Sequence, residues 1–155
     1  LREIGIDELT ALRDFRLAPL PTRRDMAMLG ALHRVALGLA PPQLAALFPL
    51  CGTVTEPYHL SRLRHWRPLH SRQLQNSTPL KCTEMMSRSL FGLVPCYNKL
   101  PQKAVDFKNV KGFQRGLQNA LKLYARTEPG EDWRKFYSSG WKRLTRTQLD
   151  TFFLA

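Results

Sequence analysis

Residues 87–121 run SRSLFGLVPCYNKLPQKAVDFKNVKGFQRGLQNAL. The stretch begins with apolar and aromatic residues (Leu90, Phe91, Leu93, Val94, Tyr97), halts at Asn98-Lys99-Leu100-Pro101, and after a spacer turns amphipathic near Asn109. This pattern predicts a helix, a turn and a second helix folded back so that both cover shared apolar surface. With successive residues turned by about 100° around a helix axis, Val110, Phe113, Leu117, Ala120, Leu121 and Tyr124 fall on one arc. Lys108, Lys111, Arg115, Lys122 and Arg126 fall on a second arc, nearly opposite. One face suits a core and the other suits anions.

Toward the N-terminus, residues 3–16 predict a helix with Ile4, Ile6, Leu9, Leu12 and Phe15 as its apolar stripe, acids early and arginines late. Pro19 and Pro21 break the chain, because a residue before proline is steered from helical angles. Thr22 as N-cap, with Asp25 as capping-box acid, predicts a helix over residues 23–39. That helix is apolar nearly all round (Met26, Met28, Leu29, Leu32, Val35, Leu37, Leu39) and needs partners on more than one side. His33 within it reads as a core or boundary residue rather than a catalytic or metal-binding one. Pro41-Pro42 ends the helix and opens a short one over residues 43–48, with Leu44, Leu47 and Phe48 facing inward.

Residues 50–83 lose regular periodicity, apart from a short extended segment at 69–74 and a polar turn at 75–79. Within them SRLRHWRPLHSR, residues 61–72, interleaves Arg62, Arg64, Arg67 and Arg72 with His65, Trp66 and His70. Guanidinium forks suit phosphate, and an aromatic face suits an unpaired base; the alternative is a solvated basic loop whose Trp66 tucks into the core. Beyond a break at Pro129-Gly130, Glu131-Asp132 open a short helix over WRKFY, and Thr145 with Gln148 caps a last helix over residues 146–153. The aromatic-rich tail, residues 127–155, is too short for its own domain and is expected to pack on residues 1–126. The predicted fold class is mainly α: an irregular multi-helix domain fragment of about six helices, with a loop-rich basic middle and little β structure.

The same residues carry a resemblance. Ser87-Arg88, then Tyr97-Asn98-x-Leu100-Pro101, then Val105, Val110, Phe113 and Leu117 resemble the pattern S-x-R, W-N-x-L-P, V, S-V, F-K-x-x-L. That pattern closes the reverse-transcriptase reading frame of many non-LTR (LINE-type, Jockey-like) retrotransposons. RRDMAMLGALHRVALGLAPPQLAALF, residues 23–48, is similar to the family's upstream R-x-x-x…L-x-x-L-H/Y-K/R-x-x-x-G…P-x-x-L-x-x-x-F segment, in the same order. Together the matches cover roughly residues 22–124, and Tyr97 stands where the family usually has Trp. The resemblance implies a helical region following the polymerase core of a reverse transcriptase, with that core lying before Leu1 and covering part of the helix at 23–39. It further implies RNA or RNA–DNA hybrid as partner and an intracellular, nuclear location.

Charge supports a polyanionic partner because of where it lies. Residues 41–126 hold 13 Lys/Arg against 3 Asp/Glu, whereas residues 1–40 hold 6 against 5 and residues 127–155 hold 5 against 4. A surface built only for solubility mixes its signs; a localised excess faces a polyanion more readily, the alternative being a basic surface with no specific partner. The residues assigned to nucleic-acid binding are Arg62, Arg64, Trp66, Arg67, Arg72, Arg88, Lys108, Lys111, Arg115 and Lys122. A second function class is a stand-alone or decayed helical module that binds another protein, its basic charge incidental.

Catalysis is not expected of these residues. Polymerases need carboxylates that hold two metal ions about 3.5–4 Å apart, yet no Asp-Asp occurs, and Asp7-Glu8 and Glu131-Asp132 sit at helix starts. No C-x₂₋₄-C pair or linked H-x₃₋₅-H offers a zinc set, no G-x-x-x-x-G-K offers a phosphate loop, and no G-x-S-x-G offers a nucleophile elbow. No metal, cofactor or small-molecule substrate is therefore expected. Cys51, Cys82 and Cys96 read as reduced thiols. No signal peptide is read at Leu1, and no apolar run long enough to span a membrane occurs.

Overall fold

A computed structural model describes residues 5–15, 17–51, 70–75, 84–127, 133–138 and 140–154. Asp7 opens the first helix, α1 (Glu8–Phe15): its carboxylate accepts from the Thr10 N–H and hydroxyl, both at 2.8 Å, which satisfies donors that a helix start leaves unpaired. Ala11 and Leu12 are buried, but Phe15, expected in the apolar stripe, is exposed at the helix's last position. α2 (Leu20–Ala36) starts at the Pro19–Pro21 break instead of after Thr22. Proline is preorganised for a first helical turn and lacks an N–H that would go unpaired there, so the expected cap is not needed. Thr22 is buried instead, its hydroxyl donating to the Arg134 carbonyl at 3.1 Å, and Asp25 is buried beside it.

α2 also stops at Ala36, short of the expected Leu39. Gly38 takes a left-handed φ of +72°, and the Gly38 and Leu39 N–H groups bond the Val35 and Arg34 carbonyls at 2.9 and 3.0 Å, closing the helix. α3 (Pro42–Leu47) opens on a proline, as expected. Phe48 is buried against the Phe91 ring (4.8 Å between centroids) and Leu44 is half-buried, whereas Leu47 is exposed. So short a helix presents one edge to the core, and Leu47 lies off it.

Residues 84–127 form α4 (Glu84–Ser87), α5 (Leu90–Lys99), α6 (Gln102–Val105) and α7 (Val110–Thr127). Pro95 lies inside α5, where proline costs about 3 kcal/mol through a lost hydrogen bond and ring clash. Burial of Leu93, Val94, Cys96 and Tyr97, at roughly 1.5–3 kcal/mol for each large apolar side chain, outweighs it. Asn109 caps α7 through its side-chain oxygen, which accepts the Gly112 N–H at 2.7 Å. Phe113, Leu117, Ala120, Leu121 and Tyr124 are buried, as the helical wheel predicts, with Val110 half-buried.

The expected fold-back of one helix on the next takes a different form. α5 and α7 both pack chiefly on α2, which thereby gains two of the sides it needs from within the chain. α2 and α7 run antiparallel: Gly30 meets Gln114, and Arg34 and Leu39 lie beside Asn109 and Val110. The approach is close at Gly30, where a Cβ would lie 2.5 Å from the Gln114 side chain.

Part of the irregular middle is anchored at residues 70–75. Leu74 and Leu50 form an isolated antiparallel bridge, with the Cys51 N–H on the Gln73 carbonyl (2.9 Å) and the Gln75 N–H on the Pro49 carbonyl (2.8 Å). Leu74's own polar groups point to the other side, where Asn98 stands in for a strand. Its side-chain oxygen accepts the Leu74 N–H at 2.9 Å, and its side-chain nitrogen donates to the Leu74 carbonyl at 2.7 Å. His70 Nε2 and Gln73 Nε2 donate to the Tyr97 and Asn98 carbonyls at 3.1 and 2.9 Å, satisfying acceptors left open at the end of α5. No β pairing beyond this bridge is present among the described residues.

The tail lies against α7 and α2. The segment expected as a short α-helix is a 3-10 turn at Trp133–Lys135, followed by a second at Gly140–Arg143. Three residues per turn place Trp133 and Phe136 on one side, and both are buried. α8 (Arg146–Leu154) opens with the predicted capping box: Thr145 N–H donates to Gln148 Oε1 (2.8 Å) and Gln148 N–H to Thr145 Oγ1 (3.3 Å). The Phe136 ring packs on Tyr124 at 4.6 Å, the Tyr137 hydroxyl donates to the Leu117 carbonyl, and Lys99 Nζ donates to the Leu144 carbonyl.

Asn98→Ala leaves the Leu74 N–H and carbonyl without partners. Each such loss costs about 1–3 kcal/mol when buried, so urea unfolding should show the variant destabilised by at least about 1 kcal/mol. A midpoint equal to the parent's would mean that the Asn98–Leu74 pairing does not hold the 70–75 segment.

Candidate nucleic-acid interface

The cluster most suggestive of chemistry is structural. His33 and Tyr97 are both fully buried, and the His33 ring stacks on Phe113 at 4.1 Å. His33 Nε2 donates to the Phe107 carbonyl at 2.8 Å, leaving Nδ1 to accept from the Tyr97 hydroxyl at 3.1 Å. Burial lowers the His33 pKa and raises that of Tyr97, keeping both neutral. On the far side of Tyr97, His70 Nδ1 accepts the Arg72 N–H at 3.1 Å. With both nitrogens of His33 and of His70 occupied and no solvent access to His33, the group positions backbone and offers no acid or base to a substrate.

The predicted binding residues divide into three sets. Lys108, Lys111 and Arg115 are exposed at the start and along the outer face of α7. Lys111 and Arg115 rim an open groove of about 390 Å³ between α2 and α7, with Arg23 on the α2 side and Met26, Ala27, Gln114 and Gln118 completing it. Arg88 is exposed, near enough to Asp25 for its charge to be felt there. Two others serve the fold. Arg72 Nη1 donates to the Val105 and Phe107 carbonyls, the latter at 3.2 Å. Lys122 is half-buried with Nζ on the Arg13 carbonyl at 2.8 Å, tethering α1. Arg62, Arg64, Trp66 and Arg67 lie outside the described residues.

Sequence reasoning missed the basic residues of α2. Arg23, Arg24 and Arg34 are exposed, and Arg23 and Arg34 are spaced by about three helical turns, which brings them to one face. That spacing was the available signal, hidden by the helix's apolar character. Asp25, the acid of α2, is buried, and burial raises its pKa against the lowering effect of Arg24 and Arg88. α7 has no acid in its sequence.

Among the described residues no group of three His, Cys, Asp or Glu is placed to hold a metal ion, and no helix is long and apolar enough to cross a membrane. Cys51 and Cys96 are free thiols.

Two ionisation predictions follow from burial. His33 is held below its ordinary pKa of 6.5, so the folded state binds fewer protons than the unfolded chain in mildly acidic solution. Its contribution is complete above the unfolded value and is lost as pH falls through the folded one, by at most about 1.4 kcal/mol per pH unit. The gap in urea midpoint between the parent and His33→Gln should therefore narrow as pH is lowered from neutrality; a constant gap would contradict a neutral buried imidazole. Asp25→Asn should raise the midpoint at neutral pH, because the amide avoids the cost of burying a carboxylate, and a lowered midpoint would show that the charge itself is needed. Comparison of the chain with protein-family models, with curated proteins and with solved structures finds no match.

Proposed function

We propose that this chain binds RNA or RNA–DNA hybrid without performing chemistry itself, as the region that follows the polymerase core in LINE-type reverse transcriptases. The observation that carries the binding role is the paired outer faces of α2 and α7. Arg23, Arg24 and Arg34 on one helix and Lys111, Arg115 and Arg126 on the other are exposed, while Asp25 is buried. Basic residues three or four apart on a helix lie about 5–6 Å from one another, close to the spacing of neighbouring phosphates on a strand. Such a face follows a backbone without reading sequence.

The family part of the reading rests on the Tyr97-Asn98-x-Leu100-Pro101 motif and its flanks. Those residues are taken up by packing and hydrogen bonds, so the nucleic-acid role rests on charge and not on them. A protein-binding role is favoured by one observation, the large apolar side chains Leu20, Leu39, Leu47 and Met85, which are 51–84% exposed.

Fluorescence anisotropy with a labelled RNA across a salt series separates the two. Affinity should fall steeply with salt, and Arg23→Gln/Lys111→Gln/Arg115→Gln should bind more weakly and flatten the log–log slope by about 2, near 0.7 per phosphate on a single strand. Lys122→Gln should leave that slope unchanged, because its ammonium serves α1. Salt-independent binding by the parent, or a triple variant as tight as the parent at low salt, would exclude the phosphate-tracking role.

A further inference from the structure

Phe107 sits at the edge of the basic face of α7 in an unusually constrained setting. Its carbonyl accepts from buried His33 Nε2 at 2.8 Å and from Arg72 Nη1 at 3.2 Å, which fixes its backbone. Its ring rests on two glycines one helical turn apart. A Cβ at Gly112 or Gly116 would lie 3.1 or 3.0 Å from ring carbons, so the ring reaches the helix surface only because those side chains are absent. The side chain nevertheless remains 39% exposed.

The surroundings are cationic. Lys108 follows Phe107 directly, and Lys111 and Arg115 immediately precede the two glycines, so the basic arc begins about 100° around the helix from the ring's seat. The neighbouring Asp106 carboxylate accepts from Gln102 Nε2 at 2.6 Å. A fixed, half-exposed ring beside three cations matches the two parts of an unpaired nucleotide, a flat base and an anionic phosphate. Because the backbone of Phe107 is held by two hydrogen bonds and its ring is seated on the glycine surface of α7, stacking on it costs less conformational entropy than on a free side chain.

We propose that Phe107 is the stacking platform for one unpaired base of a single-stranded nucleic acid whose phosphates lie along Lys108, Lys111 and Arg115. This rests on the phosphate-binding role of the α7 face and adds the class of ligand. In a duplex each base face is covered by its neighbour, so the platform favours single strands, with little preference among bases.

The test compares the parent, Phe107→Leu and Phe107→Tyr for binding to a short labelled RNA and to its duplex, with thermal unfolding to check the fold. Leucine still covers the glycines and leaves the carbonyl in place, whereas tyrosine restores an aromatic face. Phe107→Leu should weaken single-strand binding by about 5- to 150-fold, with salt slope and duplex affinity unchanged, and Phe107→Tyr should retain parental affinity. A 2-aminopurine base in the single strand should lose emission on binding to the parent but not to Phe107→Leu. If Phe107→Leu binds the single strand as tightly as the parent, or weakens both ligands equally, the platform is overturned while the basic face stands. If the parent binds neither ligand, both are overturned.

Discussion

The hydrogen bonds at the two nitrogens of His33 tie α2 to two segments that lie 64 and 74 residues further along the chain. One bond reaches the Tyr97 hydroxyl in α5 and the other the Phe107 carbonyl ahead of α7, while the ring stacks on Phe113. A polar ring removed from water costs several kcal/mol unless its hydrogen bonds are replaced. Both replacements demand one geometry, so α2 cannot slide or rotate against α5 and α7 without leaving a buried group unpaired. Apolar burial supplies the bulk of the driving force, and the imidazole selects one register among the packings that would bury similar area.

The end of α5 applies the same logic to irregular chain. Terminal helical carbonyls require donors, and here they come from His70 and Gln73, while Asn98 completes the hydrogen bonding of Leu74. A segment without regular structure of its own is thereby held against the core. The named residues of Tyr97-Asn98-x-Leu100-Pro101 all serve the fold, since Tyr97 bonds His33, Asn98 mimics a strand, and Leu100 and Pro101 are buried in the turn. The motif that carries the family resemblance is thus explained by folding, independently of what the protein binds.

Charge is sorted by the same packing. Arg72 and Lys122 look in sequence like their neighbours, yet their donors are used on backbone carbonyls. Lys111, Arg115 and Arg23 remain at the open groove between α2 and α7. A basic side chain near an unpaired carbonyl gains a charge-assisted hydrogen bond, and whether such a carbonyl lies within reach depends on a distant part of the chain. The exposed basic surface is therefore smaller on α7 than its helical wheel suggests, and it extends onto α2, which reads as apolar.

Local pattern was enough to read the mainly helical class, the inward arc of α7, the Asn109 start of that helix and the Thr145–Gln148 box of α8. Each depends on residues within about a turn of one another, so the signal is complete in a short window. Other features needed distant partners. Thr22 is a capping residue by local rules, but Arg134, 112 residues away, supplies the carbonyl that makes it a core residue. Leu47 and Phe15 were placed inward by periodicity and lie outward, exposed among the described residues. The exposed ring of Phe107 was legible only once His33, 74 residues earlier, was seen to hold its carbonyl. Periodicity tells which face of an element is apolar; what covers that face is settled by contacts across long stretches of chain, and no short window contains them.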